Sequence, residues 1–335
     1  MRLGLIGLGR IGSFHAETLS ALPDVDLVVC DAFPALAKAA AERFGAEAVD
    51  TPAALLAAGI DGVVIAAATD AHPALLTAAV DAGLPVFCEK PLARTADEAK
   101  RVRDYVLAAR ATVQIGYPRR FDPAFTAARA ALAAGELGWL HTVRSTTLDP
   151  APPPREYVAV SGGIFRDCSV HDFDAVRWVT AQEVREVYAA GSNQGEEFFG
   201  EYGDVDTAAV VLTLTDGTLA LVSNSRYNGR GYDVRLELHG SADSIAVGLD
   251  DRLPLRSAEP GAMFPAGPPH VLFMDRLAVA FRAELGAFTD VVAGRSASPC
   301  TVDDALEASL IAEACVLSLS LRRPVAMTEI RPAAR

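Results

Sequence analysis

Three glycines near the amino terminus constrain this chain more than any other feature. Leu3-Gly4-Leu5-Ile6 is a short apolar run, and Gly7-Leu8-Gly9-Arg10-Ile11-Gly12 follows it at once. An alanine-rich helical pattern then runs from Ser13 to Leu22, and a second apolar run, Leu27-Val28-Val29-Cys30, ends at Asp31. The order is strand, glycine turn, helix, strand, acid. In such a unit Gly7 allows the tight turn out of the strand, Gly9 lets the backbone come close to a pyrophosphate, and Gly12 lets the helix pack against the sheet. The helix N-terminus has free N–H groups and a partial positive charge suited to phosphates. Asp31 falls about 20 residues past the last glycine, where a carboxylate can accept from ribose hydroxyls. These features together point to a dinucleotide site with Gly7, Gly9, Arg10, Ile11, Gly12 and Asp31 as contacts. The plainer alternative is a βαβ unit whose glycines serve only packing. Asp31 would repel a 2′-phosphate, and Ala32, Phe33, Pro34 and Ala35 offer no cation, so the cofactor expected is NAD rather than NADP.

The pattern continues in the same way. A helix over Pro34–Phe44, a short strand over 46–49 and a short helix over 52–58 lead to the continuous apolar run Gly62-Val63-Val64-Ile65-Ala66-Ala67, which suits a parallel strand buried on both faces. The loop Thr69-Asp70-Ala71-His72-Pro73 follows, then a helix to Ala82, a strand Pro85–Cys88 ending in Glu89-Lys90-Pro91, a helix from Asp97 to Ala109 and a strand Thr112–Gly116. Alternating strands and helices mean a doubly wound parallel sheet, an α/β fold, over residues 1–120. Ligands bind beyond the carboxyl ends of such strands. Thr69, His72, Glu89 and Lys90 therefore join the candidate cofactor contacts.

Beyond residue 120 the pattern changes. A helix from about Asp122 to Ala134 and a strand His141–Thr147 precede a proline-rich break at Pro150–Pro154. Strands then alternate in period two without intervening helices: Val184–Ala190, Thr207–Leu214, Thr218–Ser225 and Tyr232–Gly240, with an Asp216-Gly217 hairpin turn. Pro254–Pro269 reads as a loop, and Arg276–Ala293 and Asp303–Arg322 as long helices. Residues 121–335 are thus expected to form one α+β domain with a large, mostly antiparallel open sheet.

A chain of 335 residues has room for about two domains. A net charge of −13 argues against nucleic acid and anionic membrane as partners, since both require clustered Lys and Arg. The five cysteines show no C-x-x-C spacing and fall mostly in apolar segments, which fits a reducing cytoplasm and no structural metal. The N-terminal run lacks a small-residue cleavage site and reads as a first strand rather than a signal peptide. Asp61 and Asp70 divide the most apolar region, so no membrane span is expected.

Two places offer chemistry. Lys90 ends a strand beside the expected nicotinamide, where partial desolvation would make its amine a proton carrier; the alternative is an exposed strand-end lysine. In Ser161-Gly162-Gly163-Ile164-Phe165-Arg166-Asp167-Cys168-Ser169-Val170-His171-Asp172, Asp167 and His171 stand four apart, on one face of a helix whose Phe173, Val176 and Val179 form a buried stripe. A histidine with a carboxylate one turn away is a candidate general base. The alternative is a histidine that caps or bridges helices, the commoner role of an isolated Asp/His pair. Asp149, Arg226 and Tyr232 are further polar residues available to a ligand.

The glycine turn, Glu89-Lys90-Pro91 and Gly162-Gly163…Asp167-x-x-x-His171 occur in the order and approximate spacing of the Gfo/Idh/MocA oxidoreductases, and most resemble the family's inositol 2-dehydrogenases. The resemblance covers nearly the whole chain. It implies a Rossmann domain followed by an α+β domain whose open sheet mediates dimers or tetramers. It implies a catalytic set of Lys90, Asp167 and His171 with His171 as base, a choice that spacing alone leaves open, and a cis Lys90–Pro91 bond. Two departures stand out. Family inositol enzymes often have Asn where this chain has Asp149 and Tyr where it has Phe281, which bears on the polyol contacts. The expectation is therefore an NAD-dependent dehydrogenase of a secondary hydroxyl on a cyclic polyol or sugar, with Lys90, Asp149, Asp167, His171 and Tyr232 around the substrate. An NAD-dependent glycosidase and a non-catalytic sugar-sensing regulator of the same fold are the alternatives.

Overall fold

The computed structural model describes residues 1–331 except 263, 264 and 266. The chain divides into two compact units, Met1–Phe121 with Val279–Glu307, and Asp122–Ala278 with Ala308–Arg335.

The first unit is a six-stranded parallel sheet of β1 (Arg2–Ile6), β2 (Asp26–Cys30), β3 (Glu47–Ala48), β4 (Gly62–Ile65), β5 (Val86–Glu89) and β6 (Val113–Gly116). Their spatial order is β3-β2-β1-β4-β5-β6, the arrangement of a dinucleotide-binding sheet whose switch point lies between β1 and β4. The connecting helices are α1 (Arg10–Ser20), α2 (Pro34–Phe44), α3 (Pro52–Leu56), α4 (His72–Asp81) and α5 (Ala96–Ala109). Proline at the first turns of α2, α3 and α4 starts these helices without losing a needed N–H. Thr51 and Thr95 cap α3 and α5 by accepting from Ala54 N and Glu98 N. All residues of β4, β5 and β6 are buried, as a two-sided sheet requires.

The second unit holds a seven-stranded sheet ordered β12-β11-β7-β10-β9-β8-β13. Its strands are β7 (Leu140–Leu148), β8 (Val184–Ser192), β9 (Thr207–Leu214), β10 (Leu219–Ser225), β11 (Asp233–Gly240), β12 (Ser244–Val247) and β13 (Val325–Ala326). All neighbours are antiparallel except β7 and β10, which run parallel. The Asp216-Gly217 turn closes the β9–β10 hairpin, with Thr218 N donating to Asp216 Oδ1 at 2.9 Å. Three of the unit's helices are α6 (Pro123–Ala133), capped by Asp122, α7 (Arg155–Ser161) and α8 (Val170–Thr180). Phe173, Val176 and Val179 are buried as the helical stripe predicts.

Three things differ from the sequence reading. Val279–Glu307 belongs to the first unit, although the chain reads as one second domain from residue 121 onward. In the helix Ala278–Val292, Leu285, Phe288 and Val291 join a core with Leu3, Leu5, Val29 and Phe87. Gln114 Nε2 donates to Glu284 O at 3.1 Å, and Ile115 N donates to Cys300 O at 2.9 Å. A helical period shows that a face is apolar but not which core receives it. The helix α7 begins directly after the prolines at 152–154, and β12 adds an edge strand; both are too short to declare a period. The loop read over Pro254–Pro269 includes 263, 264 and 266, which lie outside the described residues.

Because Phe288 is fully buried in the first unit's core, Phe288→Ala should cost about 3–5 kcal/mol in unfolding free energy. Urea titration of wild type and variant measures this, and a loss under about 1 kcal/mol would remove the helix from that core.

Candidate active site

The glycine loop separates three steric demands. Gly7 has φ +94°, and a Cβ there would stand 2.6 Å from Ala66 O, so the turn itself requires glycine. On Gly12 a Cβ would stand 1.9 Å from Gly7 O, so α1 approaches β1 only without one. A Cβ on Gly9 would meet nothing within 4 Å. No protein atom demands glycine at that position, and the open space beside its backbone is where a pyrophosphate fits. No side chain caps α1, so its first N–H groups remain for an anion. Asp31 follows β2 directly with its carboxylate already placed: Leu8 N donates to Oδ2 at 2.6 Å and Phe33 N donates to Oδ1 at 2.8 Å. The loop backbone thereby orients the acid, while each oxygen keeps capacity for a ribose hydroxyl. These residues fit NAD.

At the carboxyl end of β5, Glu89, Lys90 and Pro91 follow one another, and the Lys90–Pro91 bond is cis. Glu89 Oε1 lies 2.6 Å from Nε2 of the buried His15 on α1. His72 lies between two carbonyls, Nδ1 at 2.8 Å from Pro91 O and Nε2 at 3.0 Å from Ala67 O. Burial pushes the His72 imidazole below its ordinary range, outweighing the pull of those carbonyls. A neutral ring has one N–H, so it donates to one of these two carbonyls and not to both. Glu89 and His72 thus spend their side chains inside the protein. Thr69 lies in the 3-10 turn before α4.

In the second unit Asp167 lies in a π-helical turn, Phe165–Ser169, that runs into α8 carrying His171. Wide turns of this kind recur at functional sites. Asp167 Oδ1 accepts from Tyr157 Oη at 2.8 Å, and Oδ2 accepts from Arg226 Nη2 at 2.7 Å. Arg226 Nη1 also donates to Asp149 Oδ2 at 3.0 Å. Burial opposes the Arg226 charge, but Asp167 and then Asp149 outweigh it and hold the guanidinium well above its ordinary range. Gly162 and Gly163 have φ of +82° and +88°, and a Cβ on Gly163 would stand 2.9 Å from Asp204 Oδ1. The close approach permitted by the paired glycines is that of Asp204. Its carboxyl is pushed up by burial although Ile164 N and Val205 N donate to it.

Asp172, next to His171, is not a ligand group. It is fully buried and accepts from Ser145 Oγ at 2.5 Å, from Thr147 Oγ1 at 2.9 Å and from Asn224 Nδ2 at 2.8 Å. Ser169 Oγ donates to Asn224 Oδ1 at 2.6 Å. This network ties α8 to β7 and β10. Tyr232 is mostly buried, with its ring edge toward Phe273 at 6.3 Å. Phe281 packs in the first unit, edge-on to Phe14 at 5.3 Å and to His15 at 5.7 Å. Among the described residues no group of three or more His, Cys, Asp or Glu side chains is arranged to hold a metal ion.

Residues 1–117 match an oxidoreductase family with an NAD-binding Rossmann fold, and residues 125–246 match the GFO/IDH/MocA C-terminal domain. The chain belongs to the Gfo/Idh/MocA oxidoreductase family. It is 37% identical over 328 residues to an inositol 2-dehydrogenase of Rhizobium meliloti, covering 98% of this chain and 99% of the relative. It is 36% identical to a myo-inositol 2-dehydrogenase of Thermotoga maritima, covering 98% and 99%. Among solved structures, a myo-inositol dehydrogenase of Corynebacterium glutamicum superposes with a TM-score of 0.90 at 36% identity, over 99% of each chain. A scyllo-inositol dehydrogenase of Lactobacillus casei with bound NAD(H) and scyllo-inositol has a TM-score of 0.88 at 27% identity, over 98% and 99%. Membership makes this an NAD-binding oxidoreductase.

Sequence reasoning missed Tyr157 and His15. Tyr157 lies in a helix too short to recognise, and His15 sits on an apolar helix face where a histidine is ordinarily a core residue. A usable signal was the rarity of lysine: only Lys38, Lys90 and Lys100 occur among 30 Lys and Arg residues, so lysine at a strand end is no default cation here.

The fixed Asp31 carboxylate should exclude a 2′-phosphate. Wild type is expected to show a kcat/KM for NAD at least about tenfold above that for NADP, and Asp31→Ala should narrow the ratio. Initial rates with both cofactors check this, and equal values for wild type would refute it.

Proposed function

We propose that this protein is an NAD-dependent dehydrogenase of a secondary hydroxyl on a neutral cyclic polyol, with myo-inositol or a close relative as substrate. The observation that carries this reading is similarity at 36–37% identity over essentially the whole chain to relatives named for that reaction. NAD held by the glycine loop and Asp31 would supply the hydride acceptor for the carbinol carbon. His171 takes the hydroxyl proton, Asp167 orients His171 and steadies its charged form, and Lys90 hydrogen-bonds the reacting oxygen. The environment of Asp167 supports its part: a cation at 2.7 Å favours the ionised form, and a carboxylate held through both oxygens presents a fixed charge to an imidazolium. Gly7, Gly9, Arg10, Ile11, Gly12, Asp31 and Thr69 hold the cofactor, and Asp149 and Tyr232 border the substrate.

Charge supports a neutral substrate. A phosphate or carboxylate needs a cation to spare. Arg226 is 4% exposed and committed to Asp149 and Asp167. Arg166 donates from Nε and Nη2 to Glu313 at 3.0 and 2.7 Å. The acid at 149 fits the same logic, since Asp pairs with Arg226 where Asn would leave the buried cation half-matched.

The protein is a homodimer or homotetramer joined through the exposed face of the second sheet. Tyr188, Val211 and Leu221 stand opposite one another across β8, β9 and β10, and Tyr188 and Leu221 are exposed. No helix among the described residues is long and apolar enough to cross a membrane, and five buried cysteines suit the cytoplasm.

NADH formation across inositols, aldopyranoses, sugar phosphates and 2-hydroxy acids should favour an inositol; preference for an anionic substrate would overturn the reading. Accumulating NADH also separates a dehydrogenase from a glycosidase that recycles its cofactor. Lys90→Ala and His171→Ala should each lower kcat by at least about 10²-fold, and near-full turnover in either would remove its role. Light scattering should give a mass of two or four chains, and Leu221→Glu should reduce it; a monomeric wild type would exclude assembly through this face.

A further inference from the structure

We infer that His15 and His72 are positioning residues for Lys90, two buried imidazoles that hold its two chain neighbours, His15 the carboxylate of Glu89 and His72 the carbonyl of Pro91. The inference rests on the proposed role of Lys90 in proton transfer. His15 lies on α1, fully buried, with its ring edge-on to Phe87 at 5.8 Å and to Phe281 at 5.7 Å. Among the described residues its Nδ1 has no hydrogen-bond partner, so the polar capacity of the ring goes to Glu89 through Nε2. The other Glu89 oxygen faces β6, where a Cβ on Gly116 would stand 3.1 Å from Oε2, so glycine there leaves the carboxylate its room. His72, on α4 and 1% exposed, holds Pro91 O through the tautomer that carries its one N–H on Nδ1, 2.8 Å from that oxygen.

Phenylalanine or leucine would fill either volume without the cost of burying a polar ring. That cost is recovered only while the hydrogen bond is made, so each imidazole penalises any displacement of the residue it holds. Glu89 and Pro91 are the two chain neighbours of Lys90. The two grips fix the backbone from which the lysine side chain departs, and they do so from α1, which follows the glycine loop, and α4, which follows the Thr69 turn. With rings at 0% and 1% exposure, His15 and His72 have no surface left to offer a cofactor.

The test compares His15→Phe, which keeps a ring and loses the donor, with His15→Gln, whose amide can still donate to Glu89, and His72→Phe with His72→Gln. Each Phe variant should lower kcat about 10–100-fold, the scale of a misplaced catalytic group, with the NAD dissociation constant changed by less than about threefold. Each Gln variant should recover most of the loss. In the Lys90→Ala background the Phe substitutions should cost nothing further. A second arm needs no substrate: the acylation rate of Lys90 by an amine-reactive ester, mapped by mass spectrometry against Lys38 and Lys100, should change in the Phe variants and return in the Gln variants. Additive losses in the Lys90→Ala background, or an unchanged Lys90 acylation rate in folded Phe variants, would overturn the inference. If wild type turns over no polyol, the proposed function fails and the acylation arm still decides this one.

Discussion

The approach of α1 to β1 is the constraint on which the first unit depends. A single Cβ at Gly12 would put carbon 1.9 Å from the Gly7 carbonyl, so the helix either crosses here without side chains or does not cross. Once it does, its uncapped N-terminus opens at the end of β1, Leu8 N reaches the Asp31 carboxylate, and one turn further along His15 meets Glu89 on β5. The loop, Asp31 and the strand end bearing Lys90 are thereby referred to one helix. The close packing sets distances and the hydrogen bonds lock them.

The second unit is organised around a buried acid. Asp172 is removed from water, which is costly unless its oxygens are satisfied, and the hydroxyls of β7 and the amide of Asn224 on β10 supply the donors. Withdrawing one donor would cost about 1–3 kcal/mol, so α8 is pinned in rotation as well as position. That pinning sets where His171 sits on the helix. The parallel neighbours β7 and β10 also end together, which brings Asp149, just past β7, and Arg226, just past β10, into one ion pair. Arg226 then reaches Asp167. The cation is part of the site's frame, committed to two carboxylates.

Much of this was legible in the residues because it rests on local rules. The βαβ unit declared itself through glycine spacing, apolar runs and a terminal acid. The hairpin declared itself through Asp216-Gly217, and the helix α8 through the stripe Phe173, Val176 and Val179. Other parts were not legible. Strands in period two look alike whether paired parallel or antiparallel, so the β7–β10 pairing had no signature. The helix Ala278–Val292 showed an apolar face and no address. The burial of Asp172 had no signature either, because burial is decided by neighbours far away in the chain.

By itself the sequence determined the dinucleotide-binding sheet, the family and the residue types available for proton transfer, since each follows from spacing over a few tens of residues or from several motifs taken in order. Only the tertiary structure decided which polar residues are machinery and which are support. His15, His72, Glu89, Asp172 and Arg226 all carry chemistry on paper. Each is spent inside the fold, because a buried polar group is stable only with its partner, and that partner comes from a distant part of the chain.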